Sequence, residues 1–133
     1  VRHVLDASVA VAALRTSEPS HAASLRHCLP IFAGATAIVV PAIFEVEVAA
    51  ALARRGAAPV RVAQFFRRHF RSRTLVTLGP RAARAARDVA VAARLRAADA
   101  FYVWLAMRER IPLVTLDAEV RDRASALCDV RLP

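Results

Sequence analysis

A chain of 133 residues can enclose a real core, and this one is 57% hydrophobic, with six phenylalanines, one tyrosine and one tryptophan as its large side chains. Its twenty basic residues are all arginine, set against eleven acids, and the net charge of +9 favours a polyanionic partner, since arginine stays charged and grips phosphate with two donors. The apolar stretches are broken too often by arginine or acid to cross a membrane, and the opening residues do not follow the order of a secretory signal, so a cytoplasmic setting is expected.

In chain order, "HVL" (His3 to Leu5) predicts a short strand that stops at Asp6, with a helix following that Asp6 or Ser8 would cap. "EPSHAASLRHCL" predicts a second helix with Ser20 at its cap. "TAIVVP" is a β-branched run suited to a strand buried on both faces. The helix beginning "PAIFEVEVAAALARRG" should end at Gly56, and "APVRVAQFFRRHFRSR" predicts another with a basic and aromatic surface. "TLVTLG" suggests a strand, "PRAARAARDVAVAARL" a helix with proline in its first turn, and "AADAFYVWLAMRER" a helix starting near Asp99. "IPLVTLD" and "CDVRLP" close the series as strands. Strands alternating with helices predict an open α/β sheet of four to five parallel strands, covered by helices on both faces, in a single domain over residues 1–133. Cys28 and Cys128 lie far apart in sequence and read as reduced thiols, and the four histidines form no ligand motif.

The placement of the acids carries the chemistry. Asp6 ends the first strand and Asp117 a late one, and ligands of open α/β sheets bind at the carboxyl ends of strands. Asp99 lies near a helix start, and Glu45 or Glu47 lies in a helix that leaves a strand. Each acid alone reads as structural about twice as often as catalytic, Asp6 and Asp99 as caps and Asp117 as the cap of "AEVRDRA". Four at one edge would repel one another unless a cation sat among them, which points to Mg²⁺ or Mn²⁺ and to phosphoryl chemistry.

The segments "VLDASVAVAAL", "PAIFEVEVAAAL", "AADAFYVWLAM" and "PLVTLD", in this order across the chain, resemble the PIN-domain ribonucleases, and among them the toxins of VapBC toxin–antitoxin pairs. The resemblance implies a parallel sheet flanked by helices, an acidic Mg²⁺ or Mn²⁺ site, endonucleolytic cleavage of RNA, a VapB-type antitoxin and a toxin homodimer. Carried onto this sequence, it assigns the metal-binding and catalytic acids to Asp6, Glu47, Asp99 and Asp117, with Ser8 and Thr115 as supporting hydroxyls. "EVAAAL" begins at Glu47, so Glu47 matches the family glutamate and Glu45 does not. Ala50 stands where the family often has asparagine.

RNA approaching an acidic pocket needs basic walls, and "QFFRRHFRSR" offers Arg67, Arg68 and Arg71 as candidate RNA contacts beside Phe65, Phe66 and Phe70. Helical spacing favours those phenylalanines packing inward while the arginines stay solvated. Tyr102 and Trp104 read as core or dimer-interface residues. A receiver domain would need paired acids near the first strand and a late lysine, and a haloacid-dehalogenase phosphatase would need an aspartate where Ser8 stands. The competing reading is a PIN scaffold that binds RNA or a protein without cutting. At 100° per residue Glu45 and Glu47 point to nearly opposite sides of their helix, so only one of them belongs to a site.

Overall fold

The structure, a computed structural model, describes residues 2–133. β1 (His3–Leu5) is buried along its length, as is β2 (Ile38–Pro41), because each runs through the middle of a sheet with helices on both faces. β3 (Arg73–Val76) and β5 (Val130–Arg131) are the sheet edges, and their mixed, partly exposed side chains follow from having one neighbour each. β4 (Leu113–Val114) is buried between β1 and β5.

The strand order among the described residues is β3-β2-β1-β4-β5, all parallel. The chain first winds outward from β1 through β2 to β3, then crosses to the other side of β1 and continues through β4 to β5. The reversal falls between β1 and β4, where Val4 pairs with Leu113 and Leu5 with Val114. A crevice opens at such a reversal because the connections leave in opposite directions.

Seven helices supply the crossovers among the described residues: α1 (Ala7–Leu14), α2 (His21–Phe32), α3 (Ile43–Ala53), α4 (Pro59–His69), α5 (Pro80–Ala93), α6 (Ala97–Glu109) and α7 (Ala118–Ala124). The parallel α/β architecture expected from the alternating pattern is thus observed. α1 packs on α2 and α3, and α5 on α6, through small side chains such as Ala10, Ala13, Ala86 and Ala100. The large plugs gather elsewhere. Phe44, Phe65, Phe66 and Phe70 form an edge-to-face cluster between α3 and α4, with Phe44 and Phe65 each within 5.4 Å of Phe70 by ring centroid. The phenylalanines of α4 therefore belong to the core and are not platforms for bases.

Three boundaries differ from the sequence expectation. α2 continues through Pro30 to Phe32, the proline standing in its last turn. α3 stops at Ala53, and Gly56 follows at φ 91° while Ala57 N–H bonds Leu52 O at 3.1 Å. β4 is only two residues long, because Asp117 already caps the next helix. The two cysteines are unpaired, and burial pushes the Cys28 thiol up to about 12. Among the described residues no helix is long and apolar enough to cross a membrane.

Candidate active site

Asp6 is the first residue past β1, so the sheet delivers its carboxylate to the crevice at the strand ends. It is the N-cap residue of α1 by position, but its side chain makes no cap bond. Instead Oδ2 accepts from Thr115 Oγ1 at 2.6 Å and from Ser8 Oγ at 2.8 Å. Ser8 Oγ in turn accepts from Leu116 N–H at 3.3 Å, and Thr115 Oγ1 from Asp117 N–H at 3.1 Å. Two hydroxyls from opposite ends of the chain thus fix one buried carboxylate, each oriented by a backbone donor.

Asp117 ends the β4 connection and does cap α7, its Oδ1 accepting from Val120 N–H at 3.2 Å. Its other oxygen pairs with Arg96. Asp99 lies in the first turn of α6, three residues after its N-cap Arg96, so it is not the cap that its position suggested. Arg96 Nε donates to Asp99 Oδ2 at 2.9 Å, so one exposed guanidinium spans two acids from different elements. The short α5–α6 connection sets this up: Arg94 turns the chain at φ 55° and leaves Arg96 at the mouth of the crevice.

Glu47 reaches the same crevice from α3, where it is half-buried and accepts from Tyr102 Oη at 2.7 Å. Glu45, two residues away, turns to the other side and pairs with Arg73 of β3. That arginine also donates to Phe70 O at 2.7 Å and lies 5.0 Å from the Phe66 ring centroid. The division between the two glutamates expected from helical geometry is what the fold shows. Ala51, one turn beyond Glu47, lines the crevice with Arg55, whereas Ala50 is exposed outside it.

The resulting cleft has a volume of ≈ 410 Å³ and brings together Asp6, Ser8, Glu47, Asp99 and Asp117, with Glu18, Arg55 and Arg96 at its walls. Its electrostatics reflect crowding of like charge. Burial holds the Asp6 carboxyl above its usual range against the two hydroxyl bonds, and Asp117 adds to the effect. Burial likewise raises Glu47 and Asp99, and Asp6 raises both further, while Tyr102 and Arg96 oppose. Tyr102 is held protonated by its own burial and by the acids it faces. As the side chains stand, no three carboxylate, imidazole or thiol groups among the described residues converge tightly enough to hold an ion. Arg96 and Tyr102 engage three of the four acids instead.

Two features escape the sequence. Tyr102 is 2% exposed and so packs as the core residue expected of it, yet its hydroxyl ends in the cleft. The available signal was its position one turn after Asp99 on the same helix face. The cleft arginines are Arg55 and Arg96, whereas Arg67, Arg68 and Arg71 do not line it. Arg67 and Arg68 are exposed on α4, and Arg71 lies against Gly34.

The family model of the PIN domain matches residues 3–126, nearly the whole chain. Comparison with curated protein sequences gave no match. Among solved structures, the chain is similar to VapC20 of Mycobacterium tuberculosis, a sarcin–ricin loop cleaving toxin, at 16% identity and a TM-score of 0.74 over 98% of this chain and 99% of that one. It is similar to VapBC2 from Rickettsia felis, bound to a promoter DNA fragment, at 11% identity and a TM-score of 0.70 over 99% and 98%. A toxin–antitoxin complex from Klebsiella pneumoniae matches at 16% identity and a TM-score of 0.67 over 98% and 97%.

Proposed function

The chain belongs to the PIN domain family, and from that premise we propose that it is a metal-dependent endoribonuclease, the toxin of a VapBC-type toxin–antitoxin pair, hydrolysing RNA phosphodiester bonds at the Asp6–Glu47–Asp99–Asp117 cleft. One observation carries the reading: four carboxylates from four separate elements line a single cleft, and burial with mutual repulsion raises three of them. Such an arrangement is costly for the fold alone and favourable around a cation.

The donor set fits a hard divalent ion, because it consists of carboxylate and hydroxyl oxygens without thiol or imidazole. Asp6 and Asp99 are the acids assigned to direct contact with Mg²⁺ or Mn²⁺, and Glu47 and Asp117 to contact directly, through water, or as a general base. Bound there, the ion supplies positive charge for the phosphate oxygens and acidity for water. The remaining work falls to the chain. Ser8 and Thr115 hold the Asp6 carboxylate in one orientation, and Tyr102 does the same for Glu47. Arg96 neutralises Asp99 and Asp117 when no other cation does.

The partners follow from the same reading. The Klebsiella pneumoniae neighbour is a toxin–antitoxin complex by its own description, and a VapB-type antitoxin covering this cleft, with a toxin homodimer and a cytoplasmic setting, is the corresponding expectation here. The test is RNA cleavage by the purified protein in Mg²⁺ or Mn²⁺, with chelator as control. Asp6→Asn and Asp99→Asn should abolish chelator-sensitive cleavage, and parental rates in both variants would refute the assignment. Binding of RNA without any cleavage would return the protein to the non-catalytic scaffold reading.

A further inference from the structure

We infer that the acidic cleft continues over Arg55 into a basic groove that holds the phosphate backbone of a single-stranded RNA substrate. The inference rests on the nuclease reading above and adds the path that RNA takes to reach the acids. The groove, ≈ 390 Å³ in volume, lies between the end of α1 and the α3–α4 turn and is lined by Arg15, Leu52, Arg55, Gly56, Ala57, Ala58 and Arg61. Arg55 lines both this groove and the acidic cleft, so the two adjoin at that side chain.

A phosphate chain is repelled by the carboxylates it must approach, and the repulsion must be offset nearby. Three arginines and no acid line this groove. Two of them are held in place: Glu18 accepts from Arg15 at 3.2 Å and from Arg55 at 3.3 Å, fixing the pair across the gap between α1 and α3. Arg61 is exposed and makes no ion pair among the described residues, so its charge is free for a ligand.

The rest of the lining is small. Gly56 takes φ 91°, which favours glycine, and its Cα faces open space. With Ala57 and Ala58 beside it, backbone is left accessible to a phosphodiester between the arginines. The groove has no exposed aromatic ring, so it grips the sugar–phosphate chain without reading bases.

The experiment measures fluorescence anisotropy of a short fluorescein-labelled single-stranded RNA in EDTA across a salt series. Cleavage of the same RNA in Mn²⁺ is followed separately. In the double variant Arg15→Gln/Arg61→Gln, binding should weaken roughly tenfold at low salt, and the slope of log affinity against log salt should flatten by about 1.4, the value for two lost contacts on a single strand. Arg15→Lys/Arg61→Lys should restore both, since the contacts are electrostatic. A charge-matched pair on α5, Arg84→Gln/Arg87→Gln, should stay within about twofold of the parent. Equal weakening by the α5 pair would mean that binding follows net charge and would overturn the groove. A parental slope in Arg15→Gln/Arg61→Gln, in a protein that cuts RNA, overturns the groove alone. A wild-type protein that cuts no RNA in Mn²⁺ or Mg²⁺ overturns the nuclease reading and the substrate assigned here with it.

Discussion

Tyr102 of α6 donates its hydroxyl to Glu47 Oε1 of α3 across 2.7 Å, tying a core residue to a cleft acid. The bond favours the ionised carboxylate and opposes the burial that raises it. Tyr102→Phe keeps the ring in the core and removes only that opposition. Cleavage should fall about 10–100-fold, the usual effect of losing an orienting partner. The acid limb of the pH–rate profile should move to higher pH, because Glu47 then holds its proton longer. A limb that stays in place would remove Tyr102 from the site and leave it as packing.

Glu45 and Glu47 give a second, paired prediction. Glu45→Gln breaks the ion pair with Arg73 outside the cleft and should leave cleavage near parental. It should lower stability modestly, by about 1 kcal/mol, since both partners are only partly buried and solvent screens them. Glu47→Gln should instead lose most activity with little change in urea midpoint. The opposite pattern, activity lost with Glu45 and kept with Glu47, would reverse the assignment.

What made this pair legible was local: the angle between residues two apart on a helix is fixed by geometry before any tertiary contact forms. The same holds for β1, where "HVL" breaks at Asp6, and for "TAIVVP", whose burial is written in its β-branched run. Tyr102 was half legible, its ring as core and its hydroxyl not, because the contact to Glu47 joins residues 55 apart. The arginines were harder still. A basic cluster stands out in "QFFRRHFRSR", yet the cleft is served by Arg96, singled out only by a three-residue turn, and by Arg55, singled out only by where α3 ends. Charge density along a sequence says how attractive a surface is, not which edge of the sheet it lies on.

At the other end of β1, His3 Nε2 lies 3.0 Å from His27 Nε2, so one neutral ring donates to the other. Burial first, then the His27 and Arg131 charges, lower His3 to about 4 from 6.5. The folded state therefore resists protonation that the unfolded chain accepts. The stability this contributes is fully present above about pH 6.5 and is lost as pH falls toward 4, up to about 3 kcal/mol in all. The raised carboxyls of the cleft act in the opposite sense, favouring the fold as pH falls, so the informative quantity is a difference. The urea midpoint at pH 5 minus that at pH 7 should be more negative in the parent than in His3→Gln. Equal differences would show that the histidine pair carries no acid sensitivity.

Arg96 is the cation already present among the acids, bridging Asp99 and Asp117 from an exposed position. A guanidinium and a divalent ion would compete for the same carboxylates, and only the ion approaches without a tether. Arg96→Gln removes the competitor and leaves the two aspartates facing each other. Without divalent ion at neutral pH, the variant should melt below the parent, because repulsion between the acids is no longer offset. Mn²⁺ should then raise its melting temperature more than it raises that of the parent, since binding no longer has to displace a paired guanidinium. Added to Asp99→Asn, the same substitution should lose that extra response, one of the two acids having gone. Identical Mn²⁺ shifts in parent and Arg96→Gln would show that Arg96 and the ion do not share these carboxylates, and that the bridge is a surface ion pair of the folded chain.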